Sequence, residues 1–159
     1  GIQYLGFATD TQHNAYVLRP GEGEPPKGLR DGLRASMRLQ DITLAESRVG
    51  RSGNDALAAS LATADEENLD ATIYWHSIGY HGHAAGVPLG MTDYQDGVPV
   101  RGELPFRANT WHSVELNVTH PVPEWDSQPV RFSMEEDAVL TDDGWEWVLG
   151  RQESFYLIR

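Results

Sequence analysis

The sequence predicts an α+β fold in which helices cover one face of an antiparallel sheet. Two segments with helical periodicity follow a short, strand-rich N-terminal part. The second half of the chain contains segments in which apolar and polar residues alternate, as in half-buried strands. Strands and helices grouped in separate runs are typical of α+β domains. With 159 residues, the chain is long enough for one domain with a core and too short for two.

The N-terminal part is predicted to be a β-hairpin. Residues 2–10 carry Tyr, Leu and Phe around a glycine and are typical of a strand, and residues 12–18 are predicted to be its partner. Prolines and glycines between positions 20 and 26 end this pattern. We therefore expect the hairpin to be followed by a turn and then by a different element.

Two helices are predicted next. The first runs from about Pro26 to Glu46, because apolar residues recur at intervals of four on one face. The residues of that face are Leu29, Leu33 and Met37, with Ile42 and Leu44 near the same stripe. The second helix begins after Ser52 and extends to about Glu67. The Ser52 hydroxyl can accept a hydrogen bond from the backbone N–H three residues later, and Asp55 favours the positive end of the helix.

The remaining strands are predicted from their composition and from the turns between them. Residues 71–78 are typical of a strand that leads into a histidine-rich loop, and residues 84–108 are irregular. A loop of this length in a compact domain is usually functional. Further strands are predicted over residues 145–149 and, as an edge, over residues 154–158.

Two strong strands, Trp111 to Thr119 and Val130 to Leu140, each carry a glutamate on a polar face. In the first strand the apolar residues share one face and Glu115 lies on the other; in the second strand Glu135 likewise lies on the face opposite the apolar residues. Two glutamates beside the histidine loop suggest a metal pair. The alternative is an ordinary solvated sheet face, since antiparallel sheets often have one wet side.

Charge and composition exclude some functions. Twelve basic residues stand against 24 acidic ones, and the formal charge of −12 repels nucleic acid, so no nucleic-acid partner is expected. No apolar run approaches the length that spans a membrane. The chain has no cysteine, so a metal would be held by oxygen and imidazole nitrogen, which suits Mn, Co, Fe, Zn or Mg. We predict a soluble protein, and the cytoplasm and export both remain open.

Three of the six histidines, His76, His81 and His83, lie within eight residues among several glycines. Neutral imidazole is both a metal ligand and a proton carrier, so this density indicates a metal or acid/base site. The alternative is a solvated, glycine-rich loop. The cluster alone does not decide between them.

Four segments, taken together, resemble the M24 metallopeptidases, the family of methionine aminopeptidase, aminopeptidase P and prolidase. Gly1 to Thr11 is similar to the family motif Asp-x-Gly-x-x-Tyr-x-Gly-x-x-x-Asp-x-Thr from its first Gly onward. His76 to Gly82 is similar to His-x-x-Gly-His-Gly with Tyr80 inserted. Glu115 falls where the family has a metal glutamate, and Met134 to Gly144 resembles its final Glu-Asp strand and turn.

The resemblance implies a pita-bread fold and a site of two divalent metal ions, Mn, Co, Zn or Fe. The implied ligands are Asp10, His81, Glu115 and Glu135. Glu136 is the alternative to Glu135, because the alignment can be anchored either on the following turn or on the Glu-Asp pair. His76 and His83 are implied as catalytic residues that position the substrate or stabilise the developing oxyanion.

By the same resemblance, residues 1–159 are a single, partial catalytic domain. The N-terminal half of the fold and the first ligand Asp are expected to lie upstream of Gly1, so an upstream segment of the same protein is an expected partner and this chain alone is expected to be inactive or nearly so. The implied activity is hydrolysis of a peptide substrate, of the Xaa-Pro aminopeptidase or dipeptidase type, by a metal-bound hydroxide. A homodimer is left open.

Two other functions stay open from the sequence. One is a non-catalytic pita-bread module that binds peptide or protein, which the inserted Tyr80 and the unusual loop over residues 84–97 favour. The other is a metal-binding β-domain of the cupin type, which the two helices before residue 70 disfavour.

Overall fold

The computed structural model describes residues 1–159. It contains nine strands and two α-helices, with short 3-10 turns at Arg101–Glu103 and Pro123–Trp125. In chain order the elements are β1 (Gln3–Tyr4), β2 (Phe7–Ala8), β3 (Ala15–Val17), α1 (Lys27–Glu46), α2 (Gly53–Glu66), β4 (Asp70–Ile73), β5 (His76–Ile78), β6 (Thr110–Val122), β7 (Gln128–Thr141), β8 (Gly144–Trp147) and β9 (Tyr156–Ile158).

The main sheet is antiparallel and is built around β6. One side of β6 pairs with β7, which pairs in turn with β8. The other side pairs with β4 and then with β5, so the single strand predicted over residues 71–78 is interrupted. At the interruption, Trp75 turns away and bridges Leu89 in the long loop. The strands β6 and β7 continue through the prolines at positions 121 and 129, which lie opposite each other at the end of the ladder.

Both helices form where the sequence predicts them and pack on the same face of the sheet. Ser52 caps α2, because its hydroxyl oxygen accepts a hydrogen bond from the Asp55 backbone N–H. Residues of both helices join the strands in one apolar cluster. The largest fully buried members of that cluster are Trp75, Phe106, Leu39, Leu57, Ile73, Leu89, Leu116, Leu140 and Val114. The α+β architecture with helices on one face is therefore confirmed.

The predicted pairing of residues 2–10 with residues 12–18 is wrong. The hairpin is smaller, with β1 paired to β2 around a turn at Leu5 and Gly6. β3 instead pairs in parallel with β9 at the other end of the chain, so the predicted edge strand does not join the main sheet. Such pairing between segments about 140 residues apart leaves no local sequence signal.

The long segment between β5 and β6 is irregular, as predicted, apart from the turn at Arg101–Glu103. Apolar residues from it, including Val87, Leu89 and Phe106, are buried against the sheet. No helix in the structure is long and apolar enough to cross a membrane.

Candidate metal centre

The sheet places two glutamates side by side on the face opposite the helices. Glu115 on β6 and Glu135 on β7 are direct partners in the antiparallel register. Glu135 is 7% exposed, and the side chain of Glu115 is 27% exposed. Like charges directly opposite each other destabilise a sheet. A positive group between them is therefore needed to compensate.

His76 on β5 supplies a nitrogen at this position. Its Nε2 lies 3.5 Å from Glu115 Oε2 and 3.8 Å from Glu135 Oε1. Burial opposes protonation of the imidazole, but the two carboxylates outweigh it and raise the pKa of His76 to about 9. The Nε2 atom is buried and has no partner with hydrogen-bond geometry. A divalent ion at this position would displace that proton and take the buried Nε2 as a ligand between the two carboxylates.

A second group shares His76 and adds Asp10 and His83. Donor atoms of these three residues all lie within 4.8 Å of one another, as do those of His76, Glu115 and Glu135. The rings of His76 and His83 have centroids 4.3 Å apart, and the Tyr74 ring centroid lies 5.9 Å from that of His76 and 6.4 Å from that of His83. Carboxylate oxygens and imidazole nitrogens without sulfur suit Mn, Zn, Fe or Co. The donor set therefore fits a divalent metal centre.

Asp10 reaches this centre because the chain around it is tied to the sheet at three points. The Ala8 backbone N–H donates to the Gly79 carbonyl at 2.8 Å, and the Gln12 N–H donates to the Glu135 carbonyl at 2.9 Å. Phe7 stacks on Trp111 with ring centroids 5.9 Å apart. These contacts join residues 7–12 to the loop that follows β5, to β6 and to β7. The Asp10 carboxylate is consequently held beside the histidine loop.

Two residues that the sequence analysis missed support the candidate ligands. Ser113, fully buried, donates its hydroxyl to Glu135 Oε1 at 2.7 Å. The Asp10 backbone N–H donates to Asp137 Oδ1 at 3.2 Å. Both residues share strand phase with the glutamates, Ser113 with Glu115 and Asp137 with Glu135, so the alternation that selected the glutamates also indicated them.

Charge and burial act differently on the two β7 acids. Burial raises the pKa of Glu135, but the nearby His76 imidazole and the hydrogen bond from Ser113 outweigh it and the net shift is downward. Burial raises the pKa of Asp137 to about 6; the hydrogen bond from the Asp10 backbone opposes this shift, and the charges of Glu135 and Asp10 add to it. Glu135 is therefore held as a carboxylate.

Two predicted ligands, His81 and Glu136, lie outside both groups. His81 is exposed and packs edge-on against Tyr80, with ring centroids 4.9 Å apart. Glu136 is 3% exposed and occupies the other side of β7, where its Oε1 accepts from the Gln152 N–H at 2.8 Å and its Oε2 is 3.1 Å from His13 Nε2. The structure thus groups Asp10, Glu115 and Glu135 with the two histidines predicted to be catalytic, His76 and His83.

The histidine loop comes close to Asp10 because position 82 is glycine. A Cβ on Gly82 would lie 3.3 Å from Asp10 Oδ2, which is tighter than ordinary contact. A larger residue at position 82 would therefore push the loop away from Asp10. His81, next to Gly82 in the chain, belongs to neither group. Its assignment as a ligand remains a prediction.

Solved structures with a similar fold include peptidases and a protein of a different kind. The chain is similar to X-Pro aminopeptidase from Thermotoga maritima MSB8, with a TM-score of 0.71, 18% identity, and coverage of 98% of this chain and 39% of that one. It is similar to Xaa-Pro dipeptidase from Bacillus anthracis, with a TM-score of 0.66, 18% identity, and coverage of 98% and 39%. The N-terminal domain of the FACT complex subunit SPT16 from Eremothecium gossypii gives a TM-score of 0.71 at 11% identity, with coverage of 98% and 34%.

These likenesses define the fold class. The chain has the pita-bread fold, and it spans less than two fifths of the length of these three proteins. No protein-family model and no curated protein sequence matches it. The fold is thus shared by peptidases and by a subunit whose name states no catalytic activity.

Proposed function

We propose that this chain carries the metal centre of a divalent-metal-dependent peptidase of the Xaa-Pro aminopeptidase or dipeptidase type. The observation that carries the proposal is the pair of ligand groups that share His76, one with Glu115 and Glu135 and the other with Asp10 and His83. The activity is proposed for the whole protein, since the chain spans 39% of the aminopeptidase it is similar to. An upstream segment as a partner and a homodimer both remain predictions.

Four residues would hold the metal in this proposal: Asp10, His76, Glu115 and Glu135. Two ions are expected, as the sequence resemblance implies. A bound divalent ion supplies a Lewis acid, which polarises a peptide carbonyl and increases the acidity of water. Ser113 keeps the Glu135 carboxylate oriented, and Asp137 holds the Asp10 backbone.

His83 has a different role from His76 in this proposal. It is exposed and its ring lies against His76, so it would adjoin a substrate bound at the centre. An imidazole at this position can donate a proton to the leaving amine or hold the substrate carbonyl. His83 is therefore proposed as the acid/base or positioning residue.

Metal titration with paired histidine variants tests the ligand set. Mn²⁺ or Zn²⁺ is titrated into the chelator-treated protein by calorimetry, with elemental analysis for stoichiometry. His76→Ala should weaken binding more than about 100-fold, because even outer-shell partners typically cost roughly 10–100-fold. His81→Ala is the matched control and should bind as the unaltered protein does. The reverse result would restore His81 as the ligand, and no binding by any form of the whole protein, with the expected upstream segment included, would exclude a metal peptidase.

A second candidate function is a non-catalytic pita-bread module. The observation that favours it is the TM-score of 0.71 to the SPT16 domain, equal to that for the aminopeptidase. Tyr80, 66% exposed beside the histidines, is available to a protein or peptide partner. A module of this kind would bind its partner equally well with and without metal, and a Glu115→Gln variant would bind like the unaltered protein.

A further inference from the structure

The polar face of the sheet continues beyond the two glutamates in ordered rows. The first row is Glu115 and Glu135, and in the second Asn117 lies opposite Ser133, with Thr72 on the far side of Asn117. The third row contains Asp70, Thr119 and Arg131. Because side chains two residues apart share a face, Arg131 points to the same side of the sheet as the candidate metal centre.

A cavity of about 520 Å³ lies over these rows. Glu115 is part of its wall, and Arg131 is the only cation that lines it. The other polar lining residues are uncharged: Gln12, Thr72, Tyr74, Thr92, Asn117 and Ser133. The cavity therefore connects the candidate metal centre to a single positive charge through groups that can hydrogen-bond a peptide backbone.

Arg131 is free to bind an anion. Its side chain is exposed and makes no salt bridge, in contrast to Arg30, Arg38 and Arg151, which each pair with a carboxylate. Asp70 lies in the same row two strands away and does not form a salt bridge with it. In a chain of net charge −12, an unpaired guanidinium inside a polar cavity can take a carboxylate in a bidentate contact.

The register sets the distance between this cation and the centre. Arg131 lies two rows from Glu135, about 13 Å along the strand at roughly 3.3 Å per residue. A peptide carboxylate bound to Arg131 would then lie one to two rows, about 7–13 Å, from a peptide carbonyl bound at the candidate metal centre. An extended peptide spans this distance with about two to four residues.

We propose that Arg131 binds the C-terminal carboxylate of the peptide substrate. The C-terminal carboxylate is the one anion that every peptide carries, and it lies on the side of the scissile bond that becomes the leaving product. That product side would extend over Asn117 and Ser133, so the preferred substrates end two to four residues after the scissile bond. Within the proposed function this favours the aminopeptidase type over the dipeptidase, whose substrates end one residue after that bond. This inference rests on the proposed function and adds a length and end-group preference to it. The other source of the same anion is an acidic side chain of the peptide.

Calorimetry with uncleavable peptides tests the proposal on the protein loaded with Mn²⁺. The probes begin with Ala-Pro, in which the first amide is reduced to an amine, and continue with one to six alanines. Each is prepared as the free acid and as the C-terminal amide. We expect the free acid to bind roughly 10–100-fold more tightly than the amide at the preferred length, as charge-assisted hydrogen bonds do.

The variants assign that preference to Arg131. Arg131→Gln should remove the difference between acid and amide, Arg131→Lys should restore part of it, and Mn²⁺ affinity should stay unchanged in both. Arg48→Gln is the matched control: it removes the same charge from an exposed arginine that bonds only the Ala45 carbonyl, and it should leave the preference intact.

Three results would overturn the proposal. One is equal binding of acid and amide by the unaltered protein, and another is an acid preference that survives in Arg131→Gln. In the third, an aspartate placed in an amidated peptide tightens binding in an Arg131-dependent way, while the free acid and the amide bind equally. That result would assign the site to acidic side chains. Absence of Mn²⁺ binding, measured before any peptide is added, would instead refute the proposed function on which this inference rests.

Discussion

Mild acid should remove a stabilising contribution that comes from one buried histidine, His112. It is fully buried on the helix side of β6, among Trp75, Phe106 and Trp145, whose ring centroids lie 5.3–6.1 Å from its own. Its Nε2 is 3.0 Å from the Thr110 hydroxyl, and its Nδ1 has no hydrogen-bond partner. Burial, with a smaller contribution from the nearby His76, lowers the pKa of His112 to about 3.

The direction and size of the effect follow from linkage. A free histidine has a pKa near 6.5, so above that pH His112 is neutral in both the folded and the unfolded state. Its contribution to the free energy of unfolding is then fully present. As the pH falls below 6.5, the unfolded chain takes up a proton that the folded chain rejects, so stability is lost until the folded pKa near 3 is reached. Between pH 7.5 and 5 the loss is about 2 kcal/mol, because the slope approaches roughly 1.4 kcal/mol per pH unit below pH 6.5.

Denaturant unfolding of His112→Phe at several pH values isolates this term. Phenylalanine keeps an aromatic ring at the site and does not titrate, so the variant should lose about 2 kcal/mol less than the unaltered protein between pH 7.5 and 5. His120→Gln, which alters a partly exposed histidine on the same strand, is the control and should follow the unaltered protein. Parallel pH profiles for His112→Phe and the unaltered protein would refute the reasoning.

Two further predictions concern the centre and the packing of the long loop. Ser113→Ala removes the hydrogen bond to Glu135 and should weaken Mn²⁺ binding, measured by calorimetry, roughly 10–100-fold. Ser133→Ala is the control and should leave Mn²⁺ affinity unchanged. Equal Mn²⁺ affinities of the two variants would show that Ser113 does not support the site. Gly90→Ala should lower the melting temperature by about 4 °C or more relative to Gly23→Ala. Gly90 has a φ of +71°, and a Cβ there would lie 2.4 Å from the Ile73 carbonyl oxygen. At Gly23, by contrast, a Cβ would meet no atom within 4 Å. Matching melting curves for the two glycine variants would contradict this account.

The local elements could be predicted because their signals are periodic. The stripe of Leu29 and Leu33 indicated α1, and the Ser52 cap indicated the start of α2. Alternation along β6 and β7 placed Glu115 and Glu135 on the polar face, where the structure has them as direct partners. Each of these patterns depends on the geometry of one element, which the local sequence dictates.

The histidine assignment shows where prediction from sequence becomes uncertain. His76, His81 and His83 are chemically equivalent candidates within eight residues, and motif spacing alone favoured His81. In the structure, pairing of His76 with Ser113 fixes the His76 side chain between the two glutamates, whereas His81 lies in a bend that is not paired with the sheet. A loop conformation depends on contacts with distant segments, and spacing does not encode them.

By itself, the sequence determined the two helices, the polar faces of the long strands and the acidic, cysteine-free chemistry of the candidate site. Only the tertiary structure decided which segments meet: β3 with β9, Asp10 with the histidine loop, and Arg131 with the cavity beside Glu115. The physical reason is the range of the interactions. Helical and strand periodicity act over a few residues, whereas strand pairing and ligand grouping depend on chain closure over more than 60 residues and on the packing of the whole domain.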